Sequence, residues 1–265
     1  MKLFYKKLGN GSPIIILHGL YGSSDNWFAL GKYLSQKNTV FIPDLRNHGK
    51  SGHSEEHNYK VMAGDLHLLF QQNKITKATI IGHSMGGKLA MKFANSFPEK
   101  IKKLIVVDIS YKKYSQKEFL INSNHLQILN AISNLKLDIY NSRNDIELVL
   151  SEKIGSLRTA KFISKNIKRT KEKQFLWKLN IEAITTNIER LSEEIEIHQI
   201  IENQIPIYFI KGENSDYIIK SEEQNIIQKN SQAKIFTIKN AGHWLHAEQP
   251  KEFVSVIDKI LKISH

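Results

Sequence analysis

Short, mainly apolar runs alternate along this chain with longer stretches whose apolar residues recur at helical spacing. The runs fall at 13–17, 39–42, 79–81, 103–109, 205–210 and 233–238. Strands buried on both faces have this near-continuous apolar character, and they belong to parallel sheets. Residues 2–8 alternate loosely and predict an edge strand. Helical periodicity predicts helices over about 27–36, over 59–72 through Val61, Leu66, Leu69 and Phe70, over the residues following 84, and over 250–263. Strand, helix, strand, helix, strand in this order predicts an α/β fold on a mostly parallel sheet flanked by helices.

The pattern changes at residue 112. From there to 202 the sequence has no Pro and one Gly, Gly155. Three helical groupings occur there: Leu126, Leu129 and Ile132; Ile146, Val149 and Leu150; and Phe175, Leu176, Leu179 and Ile181. Strand character resumes after 204, with Pro206 near the start of a run, where a missing N–H is tolerated. This predicts a core in two parts, 1–111 and 203–265, with a helical cap inserted at 112–202. No internal repeat is present.

The chemistry concentrates where one apolar run meets one helix. Gly82-His83-Ser84-Met85-Gly86 follows an Ile-rich strand and leads into a helix carrying Leu89, Ala90 and Phe93. A G-x-S-x-G turn in that setting lifts the serine hydroxyl clear of the sheet. The helix adds its positive end beneath any oxyanion formed there. Ser84 is the candidate nucleophile, and it needs a base, because a serine hydroxyl is weakly nucleophilic at neutral pH. His243, after the last strand, satisfies the order of nucleophile first and histidine last, with His246 as the fallback. His18-Gly19 closes the first buried strand, so the amides of Leu20 and Met85 are the candidate oxyanion donors, and His18 is a turn residue.

The acid leaves two readings. The Gly-x-x-Asp turn expected after the penultimate strand reads Gly212-Glu213-Asn214-Ser215, with Asp216 one place late. Asp108, ending the strand that follows the nucleophile's helix, is the preferred carboxylate, Ser215 its auxiliary partner and Asp216 the rival. Asp44 and Arg46 read as residues pinning their loop. His48, His53 and His57 share no helical face and read as surface-loop histidines rather than metal ligands.

Composition narrows the setting. With 265 residues and no Cys, the chain has room for a large core and no disulfide or thiolate metal site. The start of the sequence lacks a signal-peptide run and no segment is a membrane span, so a cytoplasmic protein without membrane insertion is expected. Lys and Arg number 38 against 26 Asp and Glu, a net charge of +12. Lysine is spread through the chain, and no aromatic-interleaved basic stripe marks a nucleic-acid site. A lysine-rich surface is the favoured reading of that charge, and beyond it an anionic substrate such as an acyl thioester of coenzyme A is preferred over nucleic acid. No cofactor or metal is expected, and the oligomeric state is not readable.

Five stretches carry a resemblance to a known family: 19–27 (GLYGSSDNW), 44–51 (DLRNHGKS), 82–88 (GHSMGGK), 107–109 (VDI) and 242–248 (GHWLHAE). Together they resemble the α/β-hydrolase family and most of all its YbfF-type esterase branch, to which the mitochondrial abhydrolase-11 proteins are also similar. Ser215 in place of an acid departs from the wider family and agrees with this branch. The resemblance implies a serine esterase acting on short-to-medium acyl esters or acyl-CoA thioesters. A cofactor-free haloperoxidase or lyase on the same scaffold, and a non-catalytic binding protein, are the alternatives.

Overall fold

A computed structural model describes residues 1–263. The first part of the chain runs β1 (Tyr5–Leu8), β2 (Ser12–Leu17), α1 (Phe28–Leu34), β3 (Asn38–Pro43), α2 (Tyr59–Gln72), β4 (Ala78–His83), α3 (Met85–Ser96) and β5 (Ile101–Val107). Helices α4 (His125–Ser133), α5 (Arg143–Ile154) and α6 (Leu157–Ser164) follow, then the strands β6 (Ile167–Arg169) and β7 (Phe175–Trp177), then α7 (Ile181–Asn187) and α8 (His198–Glu202). The chain returns through β8 (Ile207–Gly212), α9 (Lys220–Lys229), β9 (Lys234–Ile238), α10 (Leu245–Glu248) and α11 (Pro250–Lys262).

Seven strands form one sheet in the order β1-β3-β2-β4-β5-β8-β9. Edge strand β1 runs antiparallel to β3, and every other pair is parallel. Side chains alternate between faces along a strand, so each strand feeds two cores. Ile14 and Ile16 of β2 pack with Trp27, Phe253 and Ile257, whereas Ile15 and Leu17 pack with Leu66, Phe70, Leu89 and Phe93. Both faces are dry, which is why the runs are apolar throughout. Local signals set the ends: the Asn58 side chain accepts from Val61 N at the start of α2, and Pro250 opens α11. Buried Lys103 on β5 donates to the carbonyls of Ile260, Leu261 and Ile263, closing the C-terminus of α11.

One expectation for 112–202 is corrected. Phe175 and Leu176 belong to the short hairpin β6–β7 rather than to a helix, and the next helix begins at Ile181. Phe175 is buried and Leu176 exposed, a period of two that so short a window hid. Among the described residues no helix is long and apolar enough to cross a membrane.

Candidate active site

Strand β4 ends at His83, and the next residue breaks every local preference. Ser84 sits at φ 53°, ψ −120°, a region costly for a residue with a Cβ. The glycines around it are steric necessities. A Cβ on Gly82 would stand 2.2 Å from Gly86 O, and one on Gly86 would stand 2.5 Å from Leu17 O. Hydrogen bonds from Ser84 N to Val107 O (2.9 Å) and from Gly87 N to Ser84 O (2.8 Å) hold the turn. Ser84 is thereby fixed at the N-terminus of the twelve-residue α3, with the helix's positive end behind it.

Neighbouring strands bring a carboxylate. β5 pairs with β4 on one side and β8 on the other, with Val107 opposite both His83 and Ile210. Asp108 is one step beyond, fully buried and itself at φ 50°. Its Oδ1 accepts from Gly212 N at 3.0 Å, and its Oδ2 accepts from the Ser215 hydroxyl. Oδ2 also lies 2.8 Å from His243 Nδ1. An ionised carboxylate only accepts, so Nδ1 carries the proton in this pair and Nε2 is the free ring nitrogen. Asp216 is exposed and shares no hydrogen bond with His243 among the described residues.

His243 is held from three sides. The His83 ring donates from Nε2 to His243 O at 2.9 Å, and Gly242 N donates to Glu248 Oε2 at 2.7 Å. The Tyr217 ring stacks on the imidazole at 4.1 Å and 21°. Burial, followed by the nearby His243 and His246, holds the His83 pKa well below the usual histidine value, so His83 is a neutral prop. His246 instead stacks on Trp27 at 4.1 Å, away from the carboxylate. Sequence reasoning assigned no task to His83 or Tyr217, and nothing in local periodicity marks either.

The loop after β2 is built on two neutral histidines. His18 donates from Nδ1 to Gly19 O (2.8 Å) and accepts Leu45 N at Nε2 (2.9 Å). His48 donates from Nδ1 to Arg46 O (2.9 Å) and accepts Tyr21 N at Nε2 (3.2 Å). Burial lowers the pKa of both. Neighbouring amides are thus committed, while the Leu20 amide has no protein acceptor among the described residues. Met85, first in α3, has no helical carbonyl to reach. His48 and His57 are fully buried, which corrects their reading as surface residues; His53 is exposed. They pack ring against ring and form no metal cluster among the described residues. Asp44 does pin its loop, accepting from Ser24 N and Lys50 N, and Arg46 pairs bidentately with buried Asp65.

Ser84, Leu20, Ser215, Asp216 and His243 all border one cavity of about 290 Å³. Its other wall comes from residues 114–162, including Tyr114, His125, Ile128, Thr159 and Phe162.

A buried serine at a strained strand–helix turn, beside a carboxylate-bound histidine on a doubly covered parallel sheet, defines a class. The chain belongs to the α/β-hydrolase fold family, which it matches over residues 12–250. Within that family it falls in the YbfF-type branch. It is similar to Esterase YbfF of Escherichia coli (29% identical, covering 95% of this chain and 94% of that one). It is also similar to the sn-1-specific diacylglycerol lipase ABHD11 of Danio rerio (34%, covering 96% and 80%). Among solved structures, one described as a marine microorganism esterase superposes with a TM-score of 0.91 at 39% identity, covering 98% of this chain and 99% of its own.

Proposed function

We propose that this chain is a serine esterase that hydrolyses short-to-medium acyl esters through an acyl-enzyme, with chemistry that extends to acyl-CoA thioesters. The observation that carries the reading is Ser84 at φ 53° in the cavity shared with His243, whose Nδ1 is bound to buried Asp108. Relatives named as esterases and lipases support ester bonds as the target.

In this reading His243 Nε2 takes the Ser84 proton as Oγ attacks the ester carbonyl. The oxyanion rests on the Leu20 and Met85 amides, fixed before the reaction begins. The intermediate collapses, and His243 returns the proton to the departing alcohol. Water repeats the sequence on the acyl-enzyme and releases the acid. Asp108 holds the imidazole tautomer and stabilises the imidazolium, and Ser215 and Gly212 hold Asp108. The segment 112–202 acts as a cap that closes one wall of the cavity. The steps need only protein groups and water.

Labelling with a fluorophosphonate probe, followed by intact mass, tests the reading. Wild type is expected to take one probe, mapped to Ser84 by peptide digestion, and Ser84→Ala none. An unlabelled wild type, or a labelled Ser84→Ala, would remove the serine from the mechanism. Ser215→Ala is expected to lower kcat on p-nitrophenyl butyrate by about ten- to a hundredfold, because a hydrogen bond to a charged group is worth roughly 1.5–3 kcal/mol. Unchanged turnover would reduce Ser215 to a packing role.

A further inference from the structure

The chain carries a net charge of +12, yet its cavity contains none of it. Among the described residues no lysine or arginine borders the cavity, although the sequence has 38 of them. The titratable groups that do border it are acids, tyrosines and histidines. Glu118 is balanced by Lys112 at 2.9 Å, but Asp216 forms no ion pair among the described residues. Four bordering histidines add no charge at neutral pH. Burial lowers His18, holds His83 well below the usual range, and takes His125 and His246 down to about 3. Cations stand behind the wall, each already engaged: Lys112 and Lys88 lie 4.8 and 5.0 Å from the Tyr114 ring, the first paired with Glu118 and the second bound to backbone carbonyls, and Arg158 lies 5.5 Å from the Trp244 ring and pairs with Glu248 at 3.2 Å. Buried Asp108 adds a negative charge beneath His243.

A carboxylate or phosphate entering this space would shed its hydration with no cation on the wall itself to replace it. It would also meet Asp216 and the field of Asp108. An uncharged chain meets Ile128, Phe162 and Tyr217, where burial of apolar surface is favourable. We infer that the cavity selects esters whose buried portion is uncharged, and discriminates against acyl groups ending in a carboxylate or phosphate. The inference rests on the esterase reading above and adds the substrate class. The basic surface is then no guide to the acyl group: it attracts anionic partners only outside the cavity.

The test is a matched pair, p-nitrophenyl hexanoate and mono-p-nitrophenyl adipate, which share a leaving group and differ by a terminal methyl or carboxylate. The kcat/KM for adipate is expected to be at least about 100-fold lower, the size of effect that an unpaired, partly desolvated charge produces. Thr159→Lys places a cation in the wall, and its hexanoate-to-adipate ratio is expected to fall at least about tenfold. Because the readout is a ratio, a general loss of activity in the variant does not obscure it. Adipate within about threefold of hexanoate in wild type overturns the inference, as does a ratio unmoved in Thr159→Lys. Hexanoate turnover that survives in Ser84→Ala, or is absent in wild type, instead defeats the esterase reading and the inference falls with it.

Discussion

Asp108→Asn is expected to lower kcat on p-nitrophenyl butyrate by about 10⁴-fold, the effect of the same change in serine proteases. Both Asp108 oxygens are committed, which dictates how an asparagine would sit. Oδ1 must remain an acceptor for Gly212 N–H at 3.0 Å, so the new amide nitrogen takes the place of Oδ2. That nitrogen then donates toward His243 Nδ1, where the carboxylate accepted at 2.8 Å. The imidazole answers by moving its proton to Nε2, and Nε2 can no longer accept from Ser84. The fold should survive, since shape and packing are nearly unchanged. Asp216→Asn alters an exposed residue with no bond to His243 and should leave kcat within about twofold, as surface substitutions usually do. Initial rates for the two variants at saturating ester decide between the carboxylates: loss of turnover in Asp216→Asn with Asp108→Asn active would move the acid to the later loop.

The elbow was legible in sequence because its demands are local. Gly82 and Gly86 are separated by four positions, and each is excluded from carrying a Cβ by backbone a few residues or one strand away. The sheet was legible for the same reason: an apolar residue at nearly every strand position has few other uses. Asp108 needed one further step, that consecutive parallel strands lie side by side, and β5 does lie between β4 and β8. What stayed hidden depends on segments far apart in the chain. Tyr217 reaches the His243 ring only through the loop after β8, and His48 and His57 are buried by neighbours that no spacing rule supplies. The β6–β7 hairpin is three residues a side, too short for a period of two to stand out. Lys88 is the largest omission. A lysine on a helix reads as solvated, yet its side chain is among the most buried in the protein.

Lys88→Met is expected to change how stability depends on pH more than any other single substitution outside the catalytic groups. Lys88 lies one turn after Ser84 on α3, and its Nζ donates to Lys112 O (2.7 Å), Ser192 O (3.2 Å) and Glu193 O. Those carbonyls come from residue 112 and from residues 192 and 193, eighty positions further along the chain, so one amine ties two distant segments to α3. The Tyr114 ring lies 5.0 Å from the same Nζ. Burial pulls the Lys88 pKa down to about 7, against the attraction of Glu193, Glu194 and Glu222 and with the repulsion of Lys112. In the unfolded chain the amine keeps its ordinary value near 10.4. Between those two values the unfolded state binds the extra proton, so stability rises with pH across that window. Below about pH 7 both states hold the charge and the burial penalty is fully present; above about 10 it is gone, and the neutral amine still donates to its carbonyls. Wild type should therefore gain on the order of 4 kcal/mol over Lys88→Met between pH 6 and 10, at about 1.4 kcal/mol per pKa unit. Near pH 6 the two proteins should be similar, because methionine strands the carbonyls but removes a buried charge. Near pH 9 the variant should be clearly weaker, since only the stranded carbonyls remain in the comparison. Urea unfolding of both proteins across this range measures the difference directly. A constant gap at every pH would mean that Lys88 keeps its proton throughout, with its three carbonyls outweighing burial, and the lysine would then be a fixed strap rather than one that tightens as it discharges.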